Sequence, residues 1–411
     1  MERLLFENAR LLDPDAGALR PAHHVLVEDD RIAAVESAPI VAEGARRIDC
    51  GGRVLMPGLI DAHVHAVITT MDLAAMERRP ASLVAQEARR VLERMAQRGF
   101  TSVRDAGGAD WGMAEATERG LIAGPRLFHS GRVLSQTGGH GDFRPRVDAP
   151  QVCACAVHTS GFSHVADGVS AVRKAAREEL RRGATQLKIM ASGGVASPTD
   201  PIGNLQYSAE EMRAAVEEAE GWNTYAMAHA YTPAAIQRAV RAGVRTIEHG
   251  NLIDKETADL VAERGGYVVP TLVTYFKIEE LGRKLGFPEV SQRKVKDVLD
   301  AGLASLEICR AAGVPMGFGT DLLGETHEFQ NEEFAIRAKA LPAAEVIRQA
   351  TRVNAEILRR SDELGVIAPG ALADLLVLDG NPLEDLSVLA TPEDSLRIIL
   401  KDGRFLRDRL G

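Results

Sequence analysis

A short apolar run that ends in two histidines gives the first indication of this chain's architecture: Pro57-Gly58-Leu59-Ile60-Asp61-Ala62-His63-Val64-His65. We interpret this run as a strand. Side chains two residues apart on a strand point to the same side, so His63 and His65 would converge. Two converging imidazoles could form half of a metal site, although two histidines on a solvated strand edge would give the same pattern. The other half of such a site must lie elsewhere in the chain.

The middle of the chain alternates between short runs typical of strands and longer runs typical of helices. Strands are predicted near Leu59 and at residues 100–105, 126–129, 186–190, 224–229, 245–248, 267–269 and 315–318. Helices are predicted at residues 79–97, 169–182, 209–220, 233–241, 255–263 and 291–311. Repeated β–α units imply a parallel sheet, and eight of them imply a closed (β/α)8 barrel of the TIM type. An open doubly wound sheet is the alternative, but no Gly-x-Gly-x-x-Gly or Walker loop favours it.

Both ends of the chain read as short strands separated by turns. The strands are predicted at residues 4–6, 24–28, 31–35, 373–379, 398–400 and 404–406. Two β-rich ends around a different middle suggest one small domain. We therefore predict a β-sandwich domain built from residues 1–55 and 362–411, and a barrel that spans residues 56–361.

Further candidate ligands lie at the carboxyl ends of the fourth, fifth, sixth and eighth predicted strands, where barrel enzymes have their active sites. They are Lys188, His229, His249 and Asp321. Taken singly, the lysine could belong to a core ion pair, each histidine could be hydrogen-bonded, and the aspartate could cap a helix. A buried lysine could also react with carbon dioxide to form a carbamate that bridges two metals. As a set with the two first-strand histidines, they predict a site for zinc, manganese or cobalt.

This combination of motifs resembles the amidohydrolase superfamily over nearly the whole chain. The motifs that carry the resemblance are residues 57–65, Lys188, His229, Ile247-Glu248-His249-Gly250, Gly319-Thr320-Asp321 and residues 365–375. A closer similarity points to the branch with prolidase-like dipeptidases, arginine/lysine-type carboxypeptidases and ochratoxin-degrading amidases. Three segments carry it, namely residues 136–142, 191–200 and 229–232.

The resemblance implies two divalent metal ions, with Zn²⁺ as the expected metal. The expected ligands of the first ion are His63, His65 and Asp321. His229 and His249 would hold the second ion, and Lys188 with a carbon dioxide-derived N6-carboxyl group would bridge the two. A hydroxide shared by the ions would attack an amide carbonyl, and Asp321 would pass the proton to the leaving nitrogen.

Two further residues acquire roles through the same resemblance. His140 would polarise the scissile carbonyl and Tyr231 would contact a substrate carboxylate, although a mobile loop or simple packing would also explain them. The expected substrates are small: N-acyl amino acids or dipeptides with a free carboxylate, such as Xaa-Pro dipeptides, and ochratoxin A-type amides. Residues 271–288 should form part of the mouth, with Tyr275, Phe276 and Leu281 as an apolar wall.

Two other functions stay open at this stage. One is a cyclic amidase, similar to imidazolonepropionase or hydantoinase, which needs no carboxylate pocket. The other is a non-enzymatic binding or scaffold role, which loss of ligands would signal, and none is lost. Arg104 and Asp105 are interpreted as a local ion pair. Histidines expected at the surface or in loops are His23, His24, His158, His164 and His327.

Composition and charge indicate which partners and which cellular location to expect. The chain has 49 basic and 58 acidic residues and a net charge of -9, which argues against nucleic acid as a partner. The N-terminus has no signal-peptide pattern, and no run of about 18 apolar residues could span a membrane, so we expect a cytoplasmic protein. Relatives commonly assemble, so a homo-oligomer is expected. The four cysteines, Cys50, Cys153, Cys155 and Cys309, show no zinc-knuckle or redox spacing, and free thiols are expected.

Overall fold

The structure, a computed structural model, describes residues 3–76, 79–144, 161–197 and 200–410. Cys153, Cys155 and His158 therefore lie outside the described residues. Numbered in chain order, the strands are β1 (Arg3–Asp13), β2 (Ala18–Glu28), β3 (Arg31–Glu36), β4 (Arg46–Asp49), β5 (Val54–Pro57), β6 (Leu59–Val64), β7 (Phe100–Asp105), β8 (Arg126–His129), β9 (Val133–Ser135), β10 (Ser163–Val165), β11 (Leu187–Met190), β12 (Ala226–Ala230), β13 (Thr246–His249), β14 (Tyr267–Val269), β15 (Leu375–Leu378), β16 (Leu396–Lys401) and β17 (Arg404–Asp408).

The helices flank and connect these strands. They are α1 (Leu73–Met76), α2 (Ala81–Gln97), α3 (Trp111–Glu118), α4 (Val169–Arg181), α5 (Ala209–Gly221), α6 (Pro233–Arg241), α7 (Lys255–Glu263), α8 (Leu272–Leu281), α9 (Glu289–Ala311), α10 (Glu332–Arg337), α11 (Ala343–Arg348), α12 (Asn354–Ile357), α13 (Ser387–Ala390) and α14 (Pro392–Ser395). Gly324–Phe329 forms a 3-10 helix, and Gln349–Val353 forms a π-helical turn between α11 and α12. Within the described part of the chain, no helix is long and apolar enough to cross a membrane.

Parallel strands form a closed barrel, as the alternation of the sequence predicts. β6, β7 and β8 pair in one stretch, and β11, β12, β13 and β14 pair in another. The N–H of Thr185 donates to the carbonyl of His129 at 2.8 Å and joins these stretches. Residues 315–320 close the ring between β14 and β6, where the N–H of Ala62 donates to the carbonyl of Phe318 at 2.8 Å. The (β/α)8 prediction is confirmed, and the doubly wound alternative is wrong.

The eighth strand is the least regular part of the ring. Residues 315–318 make one isolated bridge to β14 instead of a continuous ladder. Glycine at positions 317 and 319 allows the backbone to approach its neighbours closely. A Cβ on Gly319 would lie 2.8 Å from the Cβ of His63, and one on Gly317 would lie 2.7 Å from the Oδ1 of Asn354. The close approach brings the residues after this strand next to the first-strand histidines.

Helix signals in the sequence explain how the outer layer forms. α5 begins with a capping box in which Ser208 and Glu211 each bond the other's backbone N–H, and α6 begins with Thr232 as N-cap and Pro233 in its first turn. The apolar residues of α4 recur every three to four positions and are buried against the barrel. The helices therefore cover the parallel strands, which are buried on both faces.

Strands from both ends of the chain form one further sheet, in the order β17-β16-β15-β5-β1-β2-β3, with β4 paired to β1. Its buried side chains form a separate apolar cluster that includes Leu4, Phe6, Val25, Leu375 and Leu400. The two terminal segments thus share a core. The boundaries at residues 55–56 and 361–362 stay a prediction.

Candidate active site

The side chains predicted as metal ligands line one cavity at the carboxyl ends of the barrel strands. His63 and His65 come from β6 and the residue after it, Lys188 from β11, and Asp321 from the end of the eighth strand. His229 and His249 come from β12 and β13. The other lining residues are Ile68, Leu73, His140, Phe143, Phe162, Met190, Val195, Ala196, Tyr231, Thr274, Tyr275, Ile278 and Leu323. The structure therefore brings together the whole predicted set.

Both first-strand histidines have one ring nitrogen occupied by the protein. His63 Nδ1 lies 2.6 Å from Glu248 Oε2, and His65 Nδ1 lies 3.0 Å from the carbonyl oxygen of Gly107. Since both partners are acceptors, each Nδ1 carries the proton, and each Nε2 presents a lone pair. These Nε2 atoms lie 3.3 and 3.2 Å from Asp321 Oδ1. Two lone pairs and a carboxylate oxygen thus converge on one point.

The other two histidines are also fixed with one nitrogen free. His229 Nε2 lies 3.2 Å from the carbonyl oxygen of Gly193, and His249 Nδ1 lies 2.8 Å from Thr271 Oγ1. Burial lowers the pKa of both rings well below the usual value, so both are neutral and able to act as ligands. One nitrogen of each ring remains available to the cavity.

Two buried groups in the cavity, Lys188 and Asp321, can carry a charge. Burial lowers the pKa of Lys188 to about 8, despite the opposing effect of Glu248. Burial alone would raise the pKa of Asp321, but the adjacent His63 holds it well below its usual range. The aspartate is therefore ionised at neutral pH, and a fraction of the lysine is an uncharged amine.

Two of these predicted ligands have strained backbones. His249 has a φ of 75° and Asp321 a φ of 52°, in the left-handed region that side chains other than glycine rarely adopt. The N–H of Asp321 donates to the carbonyl of His63 at 2.8 Å, which holds the turn in place. Such strain persists where the surroundings enforce it and is concentrated at functional sites.

A buried ion pair behind the first-strand histidine was not recognised from the sequence. The Arg104 guanidinium donates to Glu248 Oε1 at 2.9 Å, and both side chains are fully buried. The interpretation of Arg104 and Asp105 as a local pair is wrong, because Asp105 instead accepts backbone N–H groups, including those of Ala66 and Gly107. A glutamate inside an otherwise buried strand, one residue before His249, was the available signal.

His140 and Tyr231 both lie in the cavity. The His140 ring stacks on His229 with centroids 4.3 Å apart, and the Tyr231 ring stacks on His249 at 5.2 Å. Tyr231 Oη lies 2.8 Å from Tyr275 Oη. Burial raises the pKa of Tyr231, so its hydroxyl remains a hydrogen-bond donor at neutral pH.

The apolar wall differs from the expected one. Tyr275 lines the cavity as expected, whereas Phe276 and Leu281, on the same helix α8, are not among its lining residues. Ile278, one helical turn beyond Tyr275, takes their place. Of the histidines expected at the surface or in loops, His24 and His327 are buried, and His327 Nε2 donates to the carbonyl of Ile68 at 3.0 Å.

Comparisons with known proteins agree with this geometry. A model of the amidohydrolase family matches residues 54–404. The ochratoxinase of Aspergillus niger is 33% identical over 413 residues, 97% of this chain and 85% of the relative. The crystal structure of a prolidase complexed with N-methylphosphonate-L-proline is 52% identical, has a TM-score of 0.97, and matches over 99% of this chain and 100% of that chain. An amidohydrolase crystal structure is 54% identical, with a TM-score of 0.97 over 100% of both chains. The predicted resemblance is confirmed.

Proposed function

The chain belongs to the amidohydrolase family and is a hydrolase that acts on amide bonds, and we propose that it cleaves N-acyl amino acids or dipeptides with a free carboxylate. The proposed reaction uses two divalent metal ions, most simply Zn²⁺. The hydrolase relatives and the complete set of candidate ligands argue against a binding or scaffold role. The observation that carries the proposal is the buried set of histidines, lysine and aspartate at the mouth of the barrel.

The residues present fit a metal centre. Ligand atoms of His63, His249 and Asp321 all lie within 4.8 Å of one another. His63 Nε2 is buried and has no hydrogen-bond partner among the described residues. A buried polar atom without a partner is costly, and a cation between these three groups would satisfy it. When bound, the ions would supply Lewis-acid polarisation and a water activated for attack.

We propose that Lys188, in its N6-carboxylated form, would help to hold both ions. The lysine is 1% exposed and lies on β11, which pairs with β12, the strand that carries His229. Only the uncharged amine can react with carbon dioxide, and burial makes that form accessible by lowering the pKa to about 8. The product would be a carboxylate-like group, a ligand type that zinc accepts.

The chain's own groups would move the proton and stabilise the oxyanion. Asp321 is ionised and can accept a proton from the attacking water and return it to the leaving nitrogen. His140 lies across the cavity, in contact with His229, and would donate to the carbonyl oxygen as negative charge develops there. Apolar residues, including Phe162 and Ile278, line the rest of the cavity and would limit the access of bulk water.

Tyr231 supports the preference for a free carboxylate. Its hydroxyl lies at the cavity wall, 2.8 Å from the hydroxyl of Tyr275. A hydrogen bond to a charged group contributes about 1.5–3 kcal/mol, which corresponds to a preference of about 10- to 100-fold. The prolidase of similar structure is complexed with a proline derivative that is substituted at nitrogen, which matches the proposed geometry of an amide beside a carboxylate.

The test is metal content measured together with hydrolysis of matched substrates. The panel contains N-acetyl-L-proline, its carboxamide, an Xaa-Pro dipeptide, ochratoxin A and a hydantoin. We expect about two metals per chain and chelator-sensitive hydrolysis, at least about tenfold faster with the carboxylate than with the carboxamide. Asp321→Asn should abolish turnover, whereas Asp300→Asn on the exposed face of α9 should not.

Two outcomes would contradict the proposal. Equal rates on the acid and the carboxamide, with turnover of the hydantoin, would favour a cyclic amidase. Full activity after complete removal of the metal, or full activity of metal-loaded Asp321→Asn, would refute the assigned chemistry.

A further inference from the structure

The loop that follows β11 is organised around one buried carboxylate. Asp200 is 1% exposed. Its Oδ2 accepts hydrogen bonds from the backbone N–H of Gly194 at 3.2 Å and from Gln206 Nε2 at 2.9 Å. The residue before Gly194, Gly193, supplies the carbonyl oxygen that lies 3.2 Å from His229 Nε2. The loop therefore contacts a cavity residue directly and contains a buried carboxylate.

The same oxygen of Asp200 faces His140. Oδ2 lies 3.5 Å from His140 Nδ1, and Gln206 Oε1 accepts the His140 backbone N–H at 2.8 Å. Among the described residues, His140 Nδ1 and Asp200 Oδ1 are buried atoms without hydrogen-bond partners. Catalytic hydrogen bonds are often longer without substrate and shorten in the reactive complex. A small movement of the ring would complete this contact.

A lysine from the other side of the barrel mouth fixes the loop. Lys294 on α9 donates from Nζ to the carbonyl oxygens of Gly194 and Ser197 at 2.9 and 2.7 Å, and also to the carbonyl of Asp200. One ammonium group thus gathers three carbonyls of the loop. The backbone of Asp200 is held at the point from which its side chain reaches His140.

The His140 ring is also confined by Gly194 and His229. A Cβ on Gly194 would lie 2.2 Å from the His140 ring, so only glycine leaves room for the ring there. The ring stacks on His229 on its flat side. Gly194 and His229 leave the ring little room, and the contact at Nδ1 is the one that can set its rotation about the side-chain bonds.

We propose that Asp200 is a positioning residue for His140, and that Lys294 holds Asp200 in place for this purpose. Nδ1 and Nε2 lie on different sides of the imidazole ring. A contact that fixes Nδ1 at Asp200 therefore directs Nε2 toward the scissile carbonyl. The inference rests on the role given to His140 in the proposed function. It assigns to the loop after β11 the orientation of the oxyanion donor, separate from the metal ligands.

A double-mutant cycle tests the inference. The effect of Asp200→Ala is compared in the wild-type chain and in a His140→Ala background. The measured quantities are metal content and kcat/KM for the substrate of the panel that is turned over fastest. We expect Asp200→Ala to lower kcat/KM about 100-fold in the wild-type chain, the usual cost of losing one oxyanion donor. In the His140→Ala background the further loss should be within about twofold, since both changes remove the same contribution. Metal content should be unchanged.

Conservative and control variants separate positioning from a general effect on the loop. Asp200→Asn keeps one acceptor oxygen and should restore kcat to within about tenfold of wild type. Lys294→Met should lower kcat and add little to Asp200→Ala, whereas Lys296→Met, exposed on the same helix, should have no effect. Equal losses from Asp200→Ala in both backgrounds, or loss of metal, would overturn the inference.

A crystal structure of metal-loaded Asp200→Ala provides a readout that does not depend on activity. We expect the His140 ring to turn away from its stacked position on His229, and to return to it in Asp200→Asn. An unchanged ring in Asp200→Ala would refute the positioning role. If the metal-loaded wild type cleaved no amide in the panel, the proposed function would fall, and the ring position would still decide this inference.

Discussion

Replacement of Glu248 by glutamine should both destabilise the fold and weaken metal binding. The side chains of Glu248 and Arg104 are completely buried, so the variant would leave a guanidinium without a counter-ion in the protein interior. Breaking a buried pair in this way costs about 3–5 kcal/mol. The variant would also place an amide where His63 Nδ1 now has an acceptor at 2.6 Å. A donor there favours the tautomer with a proton on Nε2, which cannot bind a metal through that nitrogen.

The expected loss of folding free energy follows from the pKa of Glu248. Burial raises the pKa of Glu248, but Arg104 and His63 outweigh it, and the pKa is about 2 instead of 4.5. A difference of about 2.5 in pKa corresponds to about 3 kcal/mol, which lies within the range for a broken buried pair. Loss of a group that orients a metal ligand costs about 10- to 100-fold in affinity.

Two measurements separate the effects. Urea unfolding of the metal-free chains gives the change in folding free energy, and a zinc titration with a competing chelator gives the change in affinity. Glu263→Gln, exposed at the end of α7, is the matched control and should change neither. Arg104→Met combined with Glu248→Gln should be less destabilised than the sum of the single variants, because no charge remains buried. A Glu248→Gln chain within about 1 kcal/mol of wild type, with full metal affinity, would refute the reasoning.

Three further predictions concern other groups. Burial lowers the pKa of His327 from 6.5 to about 4, so its neutral ring contributes stability above pH 6.5 that is lost as the pH falls toward 4. His327→Gln should therefore flatten the pH dependence of the unfolding free energy in that window, and an unchanged slope would count against it. Lys188→Ala should lose bound metal. Native mass spectrometry should detect the added mass of one carbon dioxide on the wild type and not on this variant, and the same added mass on both chains would contradict carboxylation of Lys188. Tyr231→Phe should raise KM for acid substrates about 10- to 100-fold with little change in kcat, and the carboxamide substrate, which should be unaffected, is the control.

The periodicity of the sequence predicted most barrel strands closely. The expected strands at residues 100–105 and 126–129 coincide with β7 and β8, and the helix expected at residues 79–97 is α2 at Ala81–Gln97. Local patterns succeed here because parallel barrel strands are buried on both faces and are separated by amphipathic helices. The eighth strand was less regular than expected, since its geometry depends on two glycines that approach neighbouring elements.

The grouping of the candidate ligands was also visible in the linear sequence, because residues at the carboxyl ends of parallel strands must meet at one face of the barrel. His63, His229 and Asp321 could therefore be grouped before any coordinates were considered. The apolar wall could not, because a shift of one or two positions on α8 changes which side chains face the cavity. Ile278 lies there where Phe276 and Leu281 were expected.

Sequence alone was sufficient for the class of fold, the branch of the family and the grouping of the candidate ligands in one cavity, all of which depend on local periodicity and on short motifs. Tertiary structure alone revealed which charges compensate one another. Arg104 meets Glu248 across 144 positions of the chain, and Lys294 meets the loop of Asp200 across 94. No periodic pattern or short motif in the sequence indicates such contacts. They arise because closing the barrel buries charged groups from distant strands and helices together, and a buried charge must find its partner wherever the fold places one.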